Sequence, residues 1–410
     1  MPGSLHADAE DRGCAHMSAL KTVAPEAVHV STDRLQRIRH RIERDISVGR
    51  YDGAVVLAAR DGNVFLLDAV GYRDRAAQTP MKTDAYFALM SVSKSISAVL
   101  VLSRVHNGDI SLTTRVAEVI PEFAAQGKQA ITVAQLLSHT SGVPGDAIVD
   151  SSRGYLSAIV SRIGAMAPVS VPGSAVGYSA WAAHSVLGEV VRRVDSAGRS
   201  YSSIVTEDLF KPLSMMSSSV GWLPEFIHQR VPVVSRENGL DGPPDVHVDE
   251  HDALTAAGAE IPGSGMYSTA ADFFRLTEML RRGGELDGKR ILSRRLVQLA
   301  ISNQTGERTH SSLTASRAYG PLTSNWPSGI PAYLGLGFHL RGHGVFPVYC
   351  GLLASPSTYG HMGRGSTMFW IDPELGLTFI FLTAGVMEET ASVERWQYLS
   401  DLLISAVDEP

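Results

Sequence analysis

Ser91-Val92-Ser93-Lys94 is the spacing in this chain best suited to covalent chemistry. In a helix, residues three apart share a face, so the Ser91 hydroxyl and the Lys94 amine meet. A serine hydroxyl is a weak nucleophile until a base takes its proton, and a neutral lysine amine is such a base. At its ordinary pKa only about one lysine in 2,500 is neutral at pH 7, so burial or a nearby cation has to lower it. Lysine is scarce here. Lys21, Lys82, Lys94, Lys128, Lys211 and Lys289 are the whole set, and arginine supplies the rest of the 36 basic side chains. Arginine keeps its proton near neutrality, so each lysine merits inspection.

The tetrad alone is not specific, because Ser18-Ala19-Leu20-Lys21 repeats it near the N-terminus. Context separates the two. Ser91 follows Tyr86-Phe-Ala-Leu-Met90 and precedes an apolar pattern through Ile96, Val99, Leu100 and Leu102 towards Asn107-Gly108. That places it at a buried helix N-terminus, where the helix dipole and free N–H groups favour developing negative charge. The plainer alternative makes Ser91 an N-cap and Lys94 a solvated first-turn residue.

The elements that must position these residues are legible. Leu35, Ile38, Ile42 and Ile46 give residues 32–48 helical spacing. Residues 53–59 and 64–70 read as strands joined by the hairpin residues Asp61-Gly62-Asn63. Tyr333–Leu340, Gly365–Trp370 and Leu377–Thr383 read as further strands, and 390–407 as a closing helix. Strands at both ends with a mostly helical middle predict an α+β fold. Its antiparallel sheet would be flanked by helices and carry an inserted helical lobe. The expected division is a disordered tail over 1–30, an α/β lobe from 31–90 and 255–410, and a mostly helical lobe over 91–254. Residues 235–262 and 303–331 read as long surface excursions.

Composition narrows the classes. The chain has 410 residues, 36 basic and 42 acidic side chains, and a net charge of −6. No basic run suits a phosphate backbone, so no nucleic-acid partner is expected. Two cysteines, Cys14 and Cys350, make neither a disulfide framework nor a four-thiolate zinc site. No apolar run approaches the roughly 20 residues of a membrane span. The polar N-terminus lacks a signal-peptide core, so a cytoplasmic location is expected, with Met17 an alternative start.

Four more stretches follow the tetrad in order: Leu136-Leu-Ser-His-Thr-Ser-Gly-Val-Pro144, Pro172-Gly-Ser-Ala-Val-Gly-Tyr-Ser179, Gly265-Met-Tyr-Ser-Thr-Ala-Ala-Asp272 and Tyr359-Gly-His-Met-Gly363. Together they resemble the serine β-lactamase-like, penicillin-recognising family over roughly residues 32–408, in its class C branch. That branch includes class C β-lactamases, D-stereospecific peptidases, family VIII carboxylesterases and related acyltransferases. The resemblance implies a β-lactamase/transpeptidase-like fold with its active site in the cleft between the lobes. It implies Ser91 as nucleophile, Lys94 as its partner, and Tyr178 as the tyrosine of the second motif. A phenol serves as a base where cations stabilise the phenolate, so either Lys94 or Tyr178 takes the Ser91 proton. The resemblance further implies an oxyanion hole from the backbone N–H groups of Ser91 and Arg364.

Two departures carry information. Where the family often has Lys-Thr-Gly, this chain has His361-Met362-Gly363. His361 titrates near pH 6.5 in its ordinary state and is expected to assist catalysis, either by polarising Tyr178 or by meeting a substrate carboxylate more weakly than a lysine would. Gly363 is expected to leave room for an acyl group. In Tyr178-Ser179-Ala180, Ala180 stands where β-lactamases place the asparagine that binds the lactam side-chain amide. Both departures point away from β-lactams.

Other residues are read as structural. His139 is expected to be scaffold, and Asp272 a helix-start device. His247 and His251 lie in a polar loop without a ligand frame, so no metal is expected. Trp222, Tyr267, Tyr319, Trp326 and Tyr333 line a pocket or fill the core. The expected protein is a serine hydrolase that cleaves a small-molecule carboxylic ester through an acyl-enzyme on Ser91, without a cofactor or membrane partner, and with weak or no β-lactamase activity. Acyl transfer to an alcohol or amine, a D-amino-acid peptidase or amidase, and a non-catalytic penicillin-binding-like sensor are the alternatives.

Overall fold

A computed structural model describes residues 20, 22–145, 154–240, 255–309 and 330–408. The first helix, α1 (Thr32–Ser47), starts at Ser31, whose side chain accepts the Arg34 N–H. It buries Leu35, Ile38, Ile42 and Ile46 on one face. The hairpin follows as β1 (Gly53–Arg60) and β2 (Asn63–Asp74). Asp61 and Gly62 both have positive φ, the conformation that a two-residue turn matched to strand twist requires.

The sheet is completed by β3 (Thr79–Pro80), β4 (His339–Leu340), β5 (Tyr359–Gly363), β6 (Thr367–Asp372) and β7 (Leu377–Ala384). Among the described residues it is seven-stranded, in the order β3-β2-β1-β7-β6-β5-β4. Every neighbouring pair is antiparallel. N-terminal β1 thus pairs with C-terminal β7, which closes the sheet from both ends of the sequence.

Both faces of the sheet are covered, so β1 and β7 read as continuous apolar runs rather than alternating ones. Val56, Ala58, Met368, Trp370, Phe379 and Phe381 pack with α1 and the closing helix (Glu389–Ile404). Val55, Leu57, Phe369, Ile371, Ile380 and Leu382 join the opposite core. That core includes α2 (Ser93–Asn107), α3 (Leu156–Ala165), α4 (Ala182–Val194) and α5 (Ala270–Arg281). The closing helix is α6.

Two expectations need correction. Residues 22–30, expected in the tail, cover the edge of β2: the Val23 N–H bonds the Val64 carbonyl at 2.8 Å, and Val30 is buried. Their apolar valines shield an open strand edge. Tyr333–Leu340 is not one strand. Leu334 bridges His339, and the Leu340 N–H returns to the Tyr333 carbonyl at 2.8 Å. Tyr333 and Gly337 have positive φ, and the Gly337 N–H bonds the Leu137 carbonyl. A side chain at Gly337 would collide with Ala98 of α2, so the backbone turns there instead of extending.

Candidate active site

The position of Ser91 begins with a strained residue. Met90 has φ 51, although it carries a side chain. A left-handed residue of this kind costs about 1–2 kcal/mol, so its surroundings must hold it. The Leu89 N–H bonds the Met266 carbonyl at 2.9 Å, and Thr367 Oγ1 donates to the Leu89 carbonyl at 2.8 Å. The Met266 N–H donates to Ser93 Oγ at 3.1 Å. Ser91 therefore sits on a fixed single turn, Met90–Val92, at the mouth of α2.

Gly363 belongs to this arrangement. A Cβ there would stand 2.7 Å from both the Leu89 carbonyl oxygen and the Met90 Cβ. The space expected to pass an acyl group is taken up by Thr367 and by the turn that carries Ser91. Glycine is needed so that β5 can approach Ser91.

Lys94 is fully buried. Its amine donates to Ser91 Oγ at 2.9 Å and to the Gly263 carbonyl at 2.8 Å. The plainer reading of Lys94, a solvated first-turn residue, is thereby overturned. The amine also lies 5.1 Å from the centre of the Tyr178 ring. Burial pushes the Tyr178 phenol up, and a hydrogen bond with the Ser91 side chain pulls it partly back. Ser91 thus bonds Lys94, with Tyr178 beside that amine, and the phenol keeps its proton at neutral pH.

Tyr178 is held by the Leu136–Pro144 stretch. The His139 carbonyl accepts the Gly177 N–H at 3.0 Å, and His139 Nδ1 accepts the Ser179 N–H at 3.1 Å. The His139 ring lies 4.6 Å from the Tyr178 ring. An Nδ1 that accepts leaves the proton of the neutral ring on Nε2. His139 is the scaffold it was expected to be. Ser179 Oγ accepts the Ala183 N–H in the first turn of α4, and Ala180 is half-buried between them.

His361 is buried and lies 6.4 Å, ring to ring, from Tyr178. Burial, then the nearby His339 and Lys94, hold its pKa well below the ordinary imidazole value. It is neutral at pH 7. Its Nδ1 stands 2.8 Å from the Met362 carbonyl, which has no proton to give, so Nδ1 carries the hydrogen and Nε2 is an acceptor. Arg364 follows on the β5–β6 turn, its guanidinium 3.3 Å from Glu237.

Three site neighbours carried no sequence motif. Gly263 supplies the carbonyl for Lys94. His339 sets its ring perpendicular to His361 at 4.6 Å. His184 is fully buried, and neither of its ring nitrogens has a hydrogen-bond partner among the described residues. Its pKa is depressed by burial and by Lys94. Buried polar groups are as a rule hydrogen-bonded, so these two nitrogens beside Lys94 stand out.

The remaining expectations divide. Asp272 accepts the Ser217 N–H at 2.6 Å, and its own N–H is capped by Thr269. Tyr267 is core, its hydroxyl bonded to Thr255. Tyr333 is buried, and Trp222 stacks on Arg230. Cys350 is buried and its thiol is pushed up to about 12, so it is inert. Cys14, His247, His251, Tyr319 and Trp326 lie outside the described residues. Within those residues no group of three or more potential ligands could hold a metal ion, and no helix is long and apolar enough to cross a membrane.

A helix-flanked antiparallel sheet with a serine, a buried lysine and a tyrosine converging beside one strand defines the β-lactamase/transpeptidase-like class. The Beta-lactamase family model matches residues 38–403, and the chain belongs to that family. It is 31% identical to penicillin-binding protein 4 of Amycolatopsis lactamdurans over 290 residues, covering 68% of this chain and 73% of the relative. It is 30% identical to esterase EstB of Burkholderia gladioli over 371 residues, covering 82% and 86%. The crystal structure of a penicillin-binding protein homolog from Caulobacter crescentus superposes with a TM-score of 0.74 at 26% identity, covering 92% of this chain and 98% of that one. The protein is a serine hydrolase of the β-lactamase family.

Proposed function

We propose that this serine hydrolase cleaves carboxylic esters through an acyl-enzyme on Ser91. The carrying observation is the Ser91 hydroxyl held at 2.9 Å from the buried Lys94 amine, which itself lies 5.1 Å from the centre of the Tyr178 ring. Lys94, when neutral, gives one N–H to the Gly263 carbonyl and turns its lone pair to the Ser91 proton. The Ser91 oxygen attacks the ester carbonyl, and the oxyanion is held by the N–H groups of Ser91 and Arg364. Tyr178, protonated because burial raises its pKa, gives its proton to the leaving alkoxide and regains one from Lys94. Water then attacks the acyl-enzyme by the reverse proton path.

The choice of ester over lactam rests on Ala180 and His361. Alanine makes no hydrogen bond to a lactam side-chain amide. His361 is neutral and offers an acceptor at Nε2, so it suits an uncharged donor better than the carboxylate that β-lactams carry. The likeness to an esterase over most of the chain supports the same choice.

The test sets purified protein and its Ser91→Ala variant against short-chain p-nitrophenyl esters and a chromogenic cephalosporin. Ester turnover lost in Ser91→Ala, with kcat/KM for the cephalosporin at least a hundredfold lower, is the expected result. Cephalosporin turnover equal to that of the esters would move the assignment to β-lactamase.

A further inference from the structure

Arg395 lies in the middle of α6 and is fully buried. It forms no ion pair among the described residues. Its guanidinium is boxed by three aromatic rings instead: Tyr51 at 4.8 Å, Phe381 at 5.3 Å and Trp396 at 5.3 Å. Among the described residues Nε and Nη1 have no hydrogen-bond partner, and the Tyr51 hydroxyl and Trp396 Nε1 also lack one. Arginine is almost never fully buried unless paired, and an apolar side chain of similar volume commonly serves stability as well or better. Core packing alone therefore gives no reason for a cation here.

The one hydrogen bond that Arg395 makes among the described residues does. Nη2 donates to the Gly365 carbonyl at 3.3 Å. Gly365 lies in the β5–β6 turn, directly after Arg364. That turn is fastened through its carbonyls. Gly363 accepts the Ser366 N–H, Gly365 accepts the Met387 N–H, and Ser366 accepts both the N–H and the hydroxyl of Thr383. Gly365 has φ 57, and a side chain there would run into the Met387 backbone. The turn is thus seated on the loop that leads into α6, with Arg395 as the side chain reaching it from that helix.

We propose that Arg395 is a positioning residue of the oxyanion hole: its guanidinium holds the Gly365 carbonyl and so fixes the turn that presents the Arg364 N–H to the acyl carbonyl. The inference rests on the ester-cleaving reading of Ser91 and Arg364. Burial lowers the Arg395 pKa to about 10, which still leaves a full cation at neutral pH. Among the described residues no acid is bonded to it, Asp45 acting only from a distance, and the aromatic faces stabilise the charge without competing for its N–H groups. The arrangement exchanges stability for placement of a catalytic donor.

The test uses the full chain as Arg395→Met and Arg395→Lys. Methionine fits an aromatic box, so Arg395→Met is expected to melt at or above the wild-type temperature. Active sites are counted with a fluorophosphonate that labels Ser91, and kcat on p-nitrophenyl butyrate is expressed per labelled site. The expected result is a per-site kcat at least tenfold below wild type in Arg395→Met, with KM within twofold, and a smaller loss in Arg395→Lys. A per-site kcat within twofold of wild type in Arg395→Met overturns the proposal. If Arg395→Met does not fold, Arg395→Lys is read the same way: at least a threefold per-site loss is expected, and a value within twofold overturns it. Ser91→Ala is assayed in parallel. Turnover surviving in that variant sinks the ester-cleaving reading itself, a failure distinct from that of Arg395.

Discussion

His139 and Tyr178 lie ring against ring, 4.6 Å apart, while His139 takes the backbone N–H groups on both sides of Tyr178. The phenol's position is therefore set by a residue on another segment. His139→Ala is expected to lower kcat on the order of 10²-fold, the cost of a roughly ångström-scale misplacement. The lost buried hydrogen bonds should also cost about 1–3 kcal/mol of stability. Steady-state kinetics with a melting curve checks both. Unchanged kcat would show that Tyr178 needs no such clamp.

Lys94 and Tyr178 have different jobs in this account, and the leaving group separates them. p-Nitrophenolate leaves without protonation, whereas an ethoxide needs a proton. Tyr178→Phe should therefore lose at least tenfold more kcat/KM on an ethyl ester than on the matching p-nitrophenyl ester, out of a general-acid contribution of roughly 10²–10⁴. Lys94→Arg should be as inactive as Lys94→Met on both esters, because a guanidinium cannot accept the Ser91 proton. Partial activity in Lys94→Arg would instead make Lys94 the cation that sustains a Tyr178 phenolate base.

Gly363 is predicted to serve stability and catalysis together. The Cβ of Gly363→Ala would press on Leu89 and Met90, and overpacking of this kind costs about 1–3 kcal/mol. The strained Met90 turn is what would yield, so kcat should fall along with the melting temperature. A variant that melts lower yet keeps wild-type kcat would show that the Ser91 turn is insensitive to that contact.

Buried neutral imidazoles set an acid limit on stability. His184 and His361 have depressed pKa values in the folded protein, while unfolded histidine titrates near about 6.5. Between those values the unfolded chain binds more protons, so their contribution is intact above about pH 6.5 and is lost as pH falls. The melting temperature should drop between pH 7 and pH 5. His184→Leu, which removes one of the two protonation sites, should drop less. Equal drops would mean that His184 is not held neutral.

Much of this architecture was written in local patterns. The spacing of Leu35, Ile38, Ile42 and Ile46, and the Asp61-Gly62 turn, specify α1 and the first hairpin without reference to the rest of the chain. Ser91, Lys94, Tyr178 and His361 were legible because each sits in a short motif with its own chemistry. What was not legible depends on contacts distant in sequence. Gly363 reads as room for substrate until Met90 is seen to fill that space, 273 residues away along the chain. Tyr333–Leu340 has strand composition, but Gly337 must turn to clear Ala98. The Lys94 contact with Gly263, and the unsatisfied His184 behind it, involve residues whose types gave no local signal.

In the proposed reaction an acyl group passes through Ser91. Rapid acid quench of the enzyme during turnover of a slowly deacylating p-nitrophenyl ester, followed by peptide mass spectrometry, tests it most directly. A mass increase of one acyl group is expected on the peptide carrying Ser91, formed in a burst equal to the active-site concentration. Ser91→Ala should show neither adduct nor burst. Wild-type turnover with no adduct, or an adduct on another residue that persists in Ser91→Ala, would contradict it.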